Sequence, residues 1–182
     1  MRFILIGIQG SGKSTQGNLL SKKLGVAYIA TGDIFRSLAK EESPSGTYIK
    51  EMLAGGHLIP DEKTIAILKE YLAKSEYQKG YILDGFPRTL VQAQSFDEPI
   101  DNVISIDVPD DEALKRLALR ADKEKREDDS EDAVKRRIAL FHEKTQPLLD
   151  FYKNKGLLVQ VDGTKTIEEI HEDIMKNIAT KR

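Results

Sequence analysis

The sequence has no cysteine, no tryptophan and only three histidines among its 182 residues. Disulfide bonds and thiolate zinc sites are therefore excluded, and the wide spacing of His57, His142 and His171 argues against a structural metal site. No apolar run approaches the ~18 residues that a membrane span needs. The first residues lack the small-residue cleavage site of a secretory signal peptide. We therefore expect a cytoplasmic protein that holds no zinc and has no membrane anchor.

An excess of either charge is also missing. Lysine and arginine together number 28, aspartate and glutamate 30, and the formal net charge is −2. A nucleic-acid-binding domain usually carries a basic excess on one face, so we expect no nucleic acid partner. A small cluster of cations that binds one anionic ligand would barely change this total.

Five short apolar runs, rich in β-branched residues, are present instead. They occupy residues 2–6, 26–30, 81–84, 102–108 and 157–161. Nearly continuous apolar runs are typical of strands that are covered on both faces. Helical periodicity lies between them, as in the apolar stripe of Leu114, Leu117, Ala118 and Ala121. Strands that alternate with helices predict an α/β fold with a parallel sheet and right-handed crossovers.

The segment "GIQGSGKST" follows the first of these runs. It fits the phosphate-loop pattern G-x-x-x-x-G-K-[ST] over residues 7–15 and leads into a helical pattern, which is the context that the motif requires. Its glycines let consecutive backbone N–H groups converge on phosphate oxygens at a helix N-terminus. Lys13 adds a cation for the β- and γ-phosphates, and the Ser14 or Thr15 hydroxyl can reach Mg²⁺. The segment predicts a site for a nucleoside triphosphate bound with Mg²⁺.

A carboxylate ends the third apolar run, "YILDG". Asp84, at the carboxyl end of a strand beside a phosphate loop, is suited to orient water on Mg²⁺. GTPase switches and small-molecule kinases share both elements. The guanine-reading sequence N-K-x-D is absent, since "NKGL" at 154–157 has no aspartate. This absence favours a kinase.

Six motifs narrow the kind of kinase. In chain order they are "GIQGSGKSTQ", "TGDIFR", "AGGHLIPDE", "LDGFPRT", "REDDSEDAVKRRI" and "VDGTKTIEEI". In these motifs, over essentially its whole length, the chain resembles the adenylate kinases of the nucleoside monophosphate kinase family. The resemblance implies a P-loop three-layer fold, with a five-stranded parallel sheet flanked by helices. It implies one domain in three parts: a core at 1–29, 61–120 and 138–182, a monophosphate-binding helical insertion at 30–60, and a short lid at 121–137.

The same resemblance implies where each nucleotide binds. The donor ATP would contact Gly10, Ser11, Gly12, Lys13, Ser14, Thr15, Arg116, Arg120 and Lys165. The acceptor AMP would contact Thr31, Gly32, Arg36, His57, Leu58, Ile59, Gly85, Phe86, Pro87, Arg88, Gln92, Arg126 and Arg137. The catalytic cations would be Lys13, Arg88, Arg120, Arg126 and Arg137. Mg²⁺ would be held through ATP and water, with Ser14 and Asp84 in direct contact or behind a water molecule.

Physical reasons support the main acceptor assignments. The planar fork of an arginine suits phosphate oxygens better than a lysine does, which fits Arg36 and Arg88 as the pair that binds the AMP phosphate. Thr31 and Gln92 match the positions that read adenine. The family uses the main chain around His57, so its side chain is expected at the surface. No general base is expected, because a phosphate monoester with a second pKa of about 6 is already an anionic nucleophile at neutral pH.

The run "RADKEKREDDSEDAVKRR", residues 120–137, resembles at first a solvated helix. Arg120 lies four residues after Arg116, so the two arginines share a helix face that one ligand can reach. In the family register R-x-D-D-x₇-R, Arg126 and Arg137 would bridge the donor and acceptor phosphates. Periodicity does not separate Arg137 from Arg136, and only the resemblance selects Arg137.

The lid implied here is short. Only five residues, "ADKEK", separate Arg120 from Arg126, where many relatives carry a lid of some thirty residues, and without cysteine it holds no zinc. Asp128 and Asp129 would act as hinge and helix N-cap elements. Ser14 stands where many adenylate kinases have glycine, and it restores the general phosphate-loop pattern.

The activity implied is reversible, Mg²⁺-dependent phosphoryl transfer, ATP + AMP ⇌ 2 ADP, which balances the adenine nucleotides. A kinase for UMP or CMP would share the arginines and differ in the base pocket, where Thr31 and Gln92 favour AMP. An ATP-dependent switch without enzymatic activity is the alternative from another class. Because the family is often monomeric, we expect a monomer whose partners are ATP and AMP.

Overall fold

A computed structural model describes residues 1–121 and 130–179, apart from the side chains of residues 120, 121 and 179. Five parallel strands form one sheet in the order β2-β3-β1-β4-β5. The strands are β1 (Arg2–Ile6), β2 (Ala27–Ala30), β3 (Tyr81–Asp84), β4 (Asn102–Asp107) and β5 (Leu158–Asp162). The predicted α/β class is confirmed, and each strand lies within one residue of its apolar run.

Helices connect the strands and cover the sheet. They are α1 (Lys13–Leu24), α2 (Thr31–Leu38), α3 (Pro44–Ala54), α4 (Asp61–Leu72), α5 (Leu90–Gln94), α6 (Asp110–Ala121), α7 (Glu131–Leu140), α8 (Pro147–Asn154) and α9 (Ile167–Ala179). A 3₁₀ turn at Ser75–Tyr77 precedes β3, and a π-helical turn at Phe141–Thr145 joins α7 to α8. In the described part of the chain, no helix combines the length and apolar character required to cross a membrane.

The apolar core has two layers, one on each face of the sheet. On one face Ile4, Ile29 and Leu83 pack with residues of α4, α5 and α8. On the other face, Leu5 and Ile82 pack with residues of α1 and α9. Successive strand residues point to opposite faces, so strands covered on both sides must be apolar at almost every position. This explains the nearly continuous apolar sequences of the strands at the centre of the sheet, such as β1 and β3.

The order of the strands leaves a crevice at the carboxyl ends of the strands. From β1 the chain moves outward past β3 to β2, and after β3 it crosses to β4 on the opposite side of β1. At such a reversal, the connections leave the carboxyl ends of neighbouring parallel strands in opposite directions, and ligands bind in the gap. Leu5 of β1 pairs with Asp84 of β3, so the phosphate loop and Asp84 emerge side by side.

The buried face of α6 differs from the predicted stripe. Leu114 is 41% exposed and Ala118 is exposed, whereas Ala113 and Leu117 are buried. The prediction of a stripe through Leu114 and Ala118 is therefore wrong. The reason is that α6 packs against the phosphate loop, where a Cβ on Gly10 would lie 2.6 Å from the Ala113 carbonyl oxygen.

A surface pair links the start of α6 to the π-helical turn. The ring of His142 lies 2.9 Å from Asp110 through Nε2 and 2.8 Å from Gln146 Oε1 through Nδ1. The bond to Gln146 and then the bond to Asp110 raise the pKa of His142 above its usual 6.5. Protonated His142 therefore adds to the free energy of unfolding. This contribution is complete below the pKa that His142 has in the unfolded chain, and it is lost as the pH rises through its raised pKa in the folded protein.

Replacing His142 with alanine should lower Tm by roughly 1–3 °C near pH 5.5, because half-exposed ion pairs contribute less than about 1 kcal/mol. At pH 8.5 the difference between wild type and variant should be smaller, since neutral histidine forms no ion pair. Scanning calorimetry at both pH values measures this. Lys115→Ala removes the exposed pair with Asp111 and should give a difference that is independent of pH. A His142→Ala deficit of equal size at both pH values would contradict the prediction.

Candidate active site

A cavity of about 870 Å³ opens at the carboxyl edge of the sheet. The ends of three neighbouring strands, at Ile6, Ala30 and Asp84, line it. Its volume lies in the range usual for small-molecule sites. The crevice expected from the strand order is therefore present as a cavity with room for a nucleotide.

The phosphate loop forms one wall of this cavity. Gly10 and Gly12 have φ angles of +88° and +92°, in the left-handed region that side chains disfavour. Gly12 is the N-cap of α1 and supplies no side-chain capping bond. The first backbone N–H groups of α1 lie at the positive end of the helix dipole without a capping side chain, which is the geometry of an anion site.

Lys13 holds the loop as well as supplying a charge. Its ammonium donates to the carbonyl oxygens of Gly7 at 2.7 Å and Ile8 at 2.8 Å. The cation thus lies directly against the turn whose N–H groups would bind phosphate. The positive charge of Lys13 adds to the positive end of the α1 dipole, and both favour a bound anion.

Asp84 lies beside the loop and is held by β2 and α2. Its Oδ2 atom accepts a hydrogen bond of 2.7 Å from the Tyr28 hydroxyl. Its carbonyl oxygen accepts a bond of 3.1 Å from the Thr31 hydroxyl. Thr31 is 3% exposed, and this bond turns its hydroxyl toward β3. The residues next to Asp84 therefore fix both its side chain and its backbone.

Arg88 faces the phosphate loop from the turn that follows β3. A cis peptide bond joins Phe86 to Pro87 in this turn. The Arg88 side chain donates through Nε to the Gly85 carbonyl at 2.8 Å, and its backbone N–H donates to Gln92 Oε1 at 2.7 Å. Its own carbonyl oxygen accepts a bond from the Thr145 hydroxyl at 2.9 Å. These bonds fix the guanidinium before any ligand binds.

Three cations converge on this region. Burial lowers the pKa of Arg88 most, and the nearby charges of Arg137 and Arg36 lower it further, while Asp84 acts in the opposite direction. An arginine remains protonated even so. The pKa is lowered because the guanidinium is buried and lies near two other positive charges. A bound anion would reduce the repulsion between these charges.

Glycines leave room for two of these guanidinium groups. A Cβ on Gly32 would lie 3.2 Å from both terminal nitrogens of Arg36. A Cβ on Gly85 would lie 3.1 Å from Nη2 of Arg88, and Gly85 has a φ of +84°. Arg36 is also paired with Asp33 one turn earlier in α2. The glycines of "TGD" and "DGF" thus have a steric function that the sequence pattern did not show.

Gln92 uses both ends of its amide within the protein. Its Oε1 atom accepts from the Arg88 backbone, and its Nε2 atom donates to Asp61 Oδ1 at 2.8 Å. The Thr89 hydroxyl donates to the same carboxylate oxygen at 2.9 Å. In the structure, Gln92 therefore holds the turn at Arg88 against α4. Its contact with adenine stays a prediction.

The structure distinguishes the two neighbouring arginines of α7. Arg137 lines the cavity and donates to Gln9 Oε1 at 3.3 Å and to the Leu53 carbonyl at 3.1 Å. Arg136 is exposed and contacts the Gly55 carbonyl and the His57 ring instead. Arg137 therefore touches the phosphate loop and α3 together. The family register selected Arg137, and Arg137 is the one of the two that lines the cavity; its contact with the nucleotides stays a prediction.

The far end of the cavity is formed by α6 and the start of α9. Arg116 lines it and is paired with Glu112 at 2.9 Å. Lys165 also lines the cavity, while its ammonium bonds to Asp173 at 2.7 Å. The resemblance to adenylate kinases implies that the backbone of Lys165, not its amine, approaches the donor base. The bond of the amine to Asp173 fits that expectation, which stays a prediction.

Most of the predicted site residues line this one cavity. They are Gly10, Ser11, Gly12, Lys13, Ser14, Thr15, Gly32, Arg36, His57, Leu58, Ile59, Asp84, Gly85, Pro87, Arg88, Gln92, Arg116, Arg137 and Lys165. Thr31 and Phe86 are buried beside it, and Phe86 packs in the core against Phe96. The side chain of Arg120, together with Arg126, Asp128 and Asp129, lies outside the described residues.

Several residues that support the site were not predicted. Gln9, Tyr28, Asp61 and Thr145 each bond to a predicted site residue. Gln16 donates through Nε2 to the Ile167 carbonyl at 2.8 Å and so ties α1 to the start of α9. Gln9, Gln16 and Asp61 belong to recognised motifs, whereas Tyr28 and Thr145 do not. All five are far from their partners in sequence, so no local pattern indicated these bonds.

The phosphate loop and a second group of cations share one cavity at the carboxyl ends of the parallel strands. This arrangement is typical of the P-loop kinases. The family model described as adenylate kinase matches residues 5–157. The chain belongs to the adenylate kinase family.

Similar proteins extend over nearly the whole chain. An adenylate kinase of Cyanothece sp. is 41% identical over 180 residues, which cover 95% of this chain and 92% of that protein. An adenylate kinase of Leptospira biflexa is 41% identical over 184 residues, with 97% and 99% covered. An adenylate kinase of Bacillus subtilis is 38% identical over 208 residues, with 96% of each chain covered. The last alignment is longer than this chain, so that relative has segments without a counterpart here.

Proposed function

We propose that this protein catalyses reversible phosphoryl transfer, ATP + AMP ⇌ 2 ADP. The observation that carries the proposal is that the phosphate loop and the cluster of Arg36, Arg88 and Arg137 line one cavity. Transfer between two nucleotides requires two polyanions to meet in line, with cations that neutralise the charge between them. The donor phosphates would lie on the loop at Lys13, and the acceptor phosphate between the arginines.

The chemistry requires positioning more than acid–base catalysis. The acceptor phosphate is already an anion at neutral pH, so no side chain has to remove a proton. Arg88 and Arg36 would hold the AMP phosphate in place. Arg137, which contacts both the phosphate loop and α3, would stabilise the phosphoryl group as it passes between them.

Mg²⁺ is the cofactor that the donor set fits. No cluster of three or more histidine, aspartate or glutamate side chains that could hold a metal ion occurs in residues 1–121 and 130–179. The carboxylate of Asp84 and the hydroxyl of Ser14 are among the groups that line the cavity at the phosphate loop. Mg²⁺ prefers substrate phosphates and water with one or two protein ligands. When bound with ATP it would neutralise the transferred charge.

Two further parts complete the proposal. Residues 30–60 would form the monophosphate-binding insertion, where Phe35, Ile49 and Ile59 make a small apolar cluster of their own. Residues 121–137 would form the short lid, which must exclude water because ATP would otherwise be hydrolysed. We propose a cytoplasmic monomer that binds ATP and AMP and no nucleic acid or membrane.

An acceptor panel tests the proposal. Purified protein is given Mg²⁺ and ATP with AMP, CMP, UMP or GMP, and ADP formation is measured. We expect the highest kcat/KM with AMP and none of this activity when EDTA removes Mg²⁺. Preference for UMP or CMP would show that the protein is a pyrimidine monophosphate kinase. If no monophosphate accepts the phosphoryl group, the protein binds nucleotides without this activity.

A further inference from the structure

Gly17 lies in the middle of α1, four residues after Lys13, where phosphate binding does not require glycine. A glycine inside a helix costs about 1 kcal/mol relative to alanine. Gly17 is buried, and a Cβ there would overlap the Tyr28 ring at Cε2 and Cδ2. The glycine therefore makes room for the tyrosine ring against α1.

Tyr28 extends from this position to the active site. It is half-buried on β2, lines the cavity, and pairs in register with Ile82 of β3. Asp84 is two residues further along β3, on the same face as Ile82, and a diagonal neighbour at this spacing is within reach of an aromatic side chain. The Tyr28 hydroxyl donates to Asp84 Oδ2 at 2.7 Å.

We infer that Tyr28, seated on Gly17, is a positioning residue that fixes the Asp84 carboxylate for Mg²⁺ and its water. The inference rests on the proposed function, in which Asp84 serves the Mg²⁺ of the bound nucleotide. A carboxylate on its own rotates and presents either oxygen. A donor on Oδ2 fixes that rotation, and Oδ1 then faces the metal site in one orientation.

The experiment measures Mg²⁺-dependent nucleotide binding rather than turnover. Isothermal titration calorimetry gives the Kd of ADP with Mg²⁺ and with EDTA, and the ratio of the two values is the gain from the metal. Partners that orient a metal-binding group typically change metal affinity 10–100-fold when removed. Tyr28→Phe should therefore reduce the gain about tenfold, while Kd in EDTA stays within twofold of wild type. Gly17→Ala should also reduce the gain, because the added methyl group would displace the Tyr28 ring.

Two controls separate orientation from general damage. Tyr77→Phe removes another tyrosine hydroxyl, whose pKa is raised by the neighbouring Glu76 carboxylate, and should leave the gain unchanged. In an Asp84→Asn background, Tyr28→Phe should have no further effect on the gain. The inference is overturned if Tyr28→Phe retains the wild-type gain, or if it weakens ADP binding equally with and without Mg²⁺. The proposed function is judged separately, since its failure would appear as absent transfer to AMP in wild type.

Discussion

Replacing Arg88 with alanine should lower kcat/KM for AMP by about 10²–10³-fold. Bonds to Gln92 and Thr145 hold the Arg88 backbone and a bond to Gly85 holds its side chain, so its guanidinium would meet the proposed acceptor phosphate with little loss of conformational freedom. Removing one preorganised donor of this kind costs about 2.7–4 kcal/mol of transition-state stabilisation. Steady-state kinetics with AMP as the varied substrate measure the loss.

The loss should be confined to the acceptor side. The Kd of ATP, for which we propose the phosphate loop as the site, should stay within about twofold of wild type. Arg88→Lys should recover only part of the activity, because a lysine keeps the charge and loses the bidentate fork. Near-wild-type turnover in Arg88→Ala would show that the acceptor phosphate binds elsewhere, and an equal loss of ATP affinity would indicate a collapsed cavity.

Replacing Arg137 with alanine should lower kcat by about 10²–10³-fold, and the same change at Arg136 should not. Arg137 lies between Gln9 of the phosphate loop and Leu53 of α3, where charge would develop during transfer. Within the described residues, its neighbour Arg136 contacts Gly55 and His57. Arg136→Ala should therefore raise KM for AMP by at most several-fold and change kcat little.

The two variants are matched in residue type and position, so their comparison removes general effects of charge loss on α7. Full kinetics with ATP and AMP varied in turn provide the measurement, and Tm provides a check on folding. A larger fall in kcat for Arg136→Ala than for Arg137→Ala would mean that the family register was applied to the wrong arginine.

Much of the site was predictable because its signals are local. The phosphate loop is a short motif with a required context, and residues 2–24 form the predicted strand, loop and helix. Asp84 was predicted from its position at the end of an apolar run, since parallel strands bring their carboxyl ends to one edge. The acceptor arginines came from the resemblance to adenylate kinases, and Arg36 and Arg88 line the same cavity.

The buried face of α6 was not predictable in this way. Leu114, Leu117 and Ala118 form a regular apolar stripe, and nothing in their spacing shows that Ala113 replaces Leu114 at the packed face. That orientation follows from the close approach of α6 to Gly10 in the phosphate loop. A helix rotates to satisfy such long-range contacts, even when this leaves a leucine 41% exposed.

The sequence by itself determined the parallel sheet, the phosphate loop and the family, because strand and helix periods and contiguous motifs depend on residues close along the chain. The tertiary structure alone decided that Ala113, not Leu114, is buried on α6, and that Gly17 makes room for the Tyr28 ring whose hydroxyl bonds to Asp84. These contacts join residues whose distance in space is independent of their separation in sequence. They depend on how the helices pack on the sheet, so the spacing of residues along the chain does not predict them.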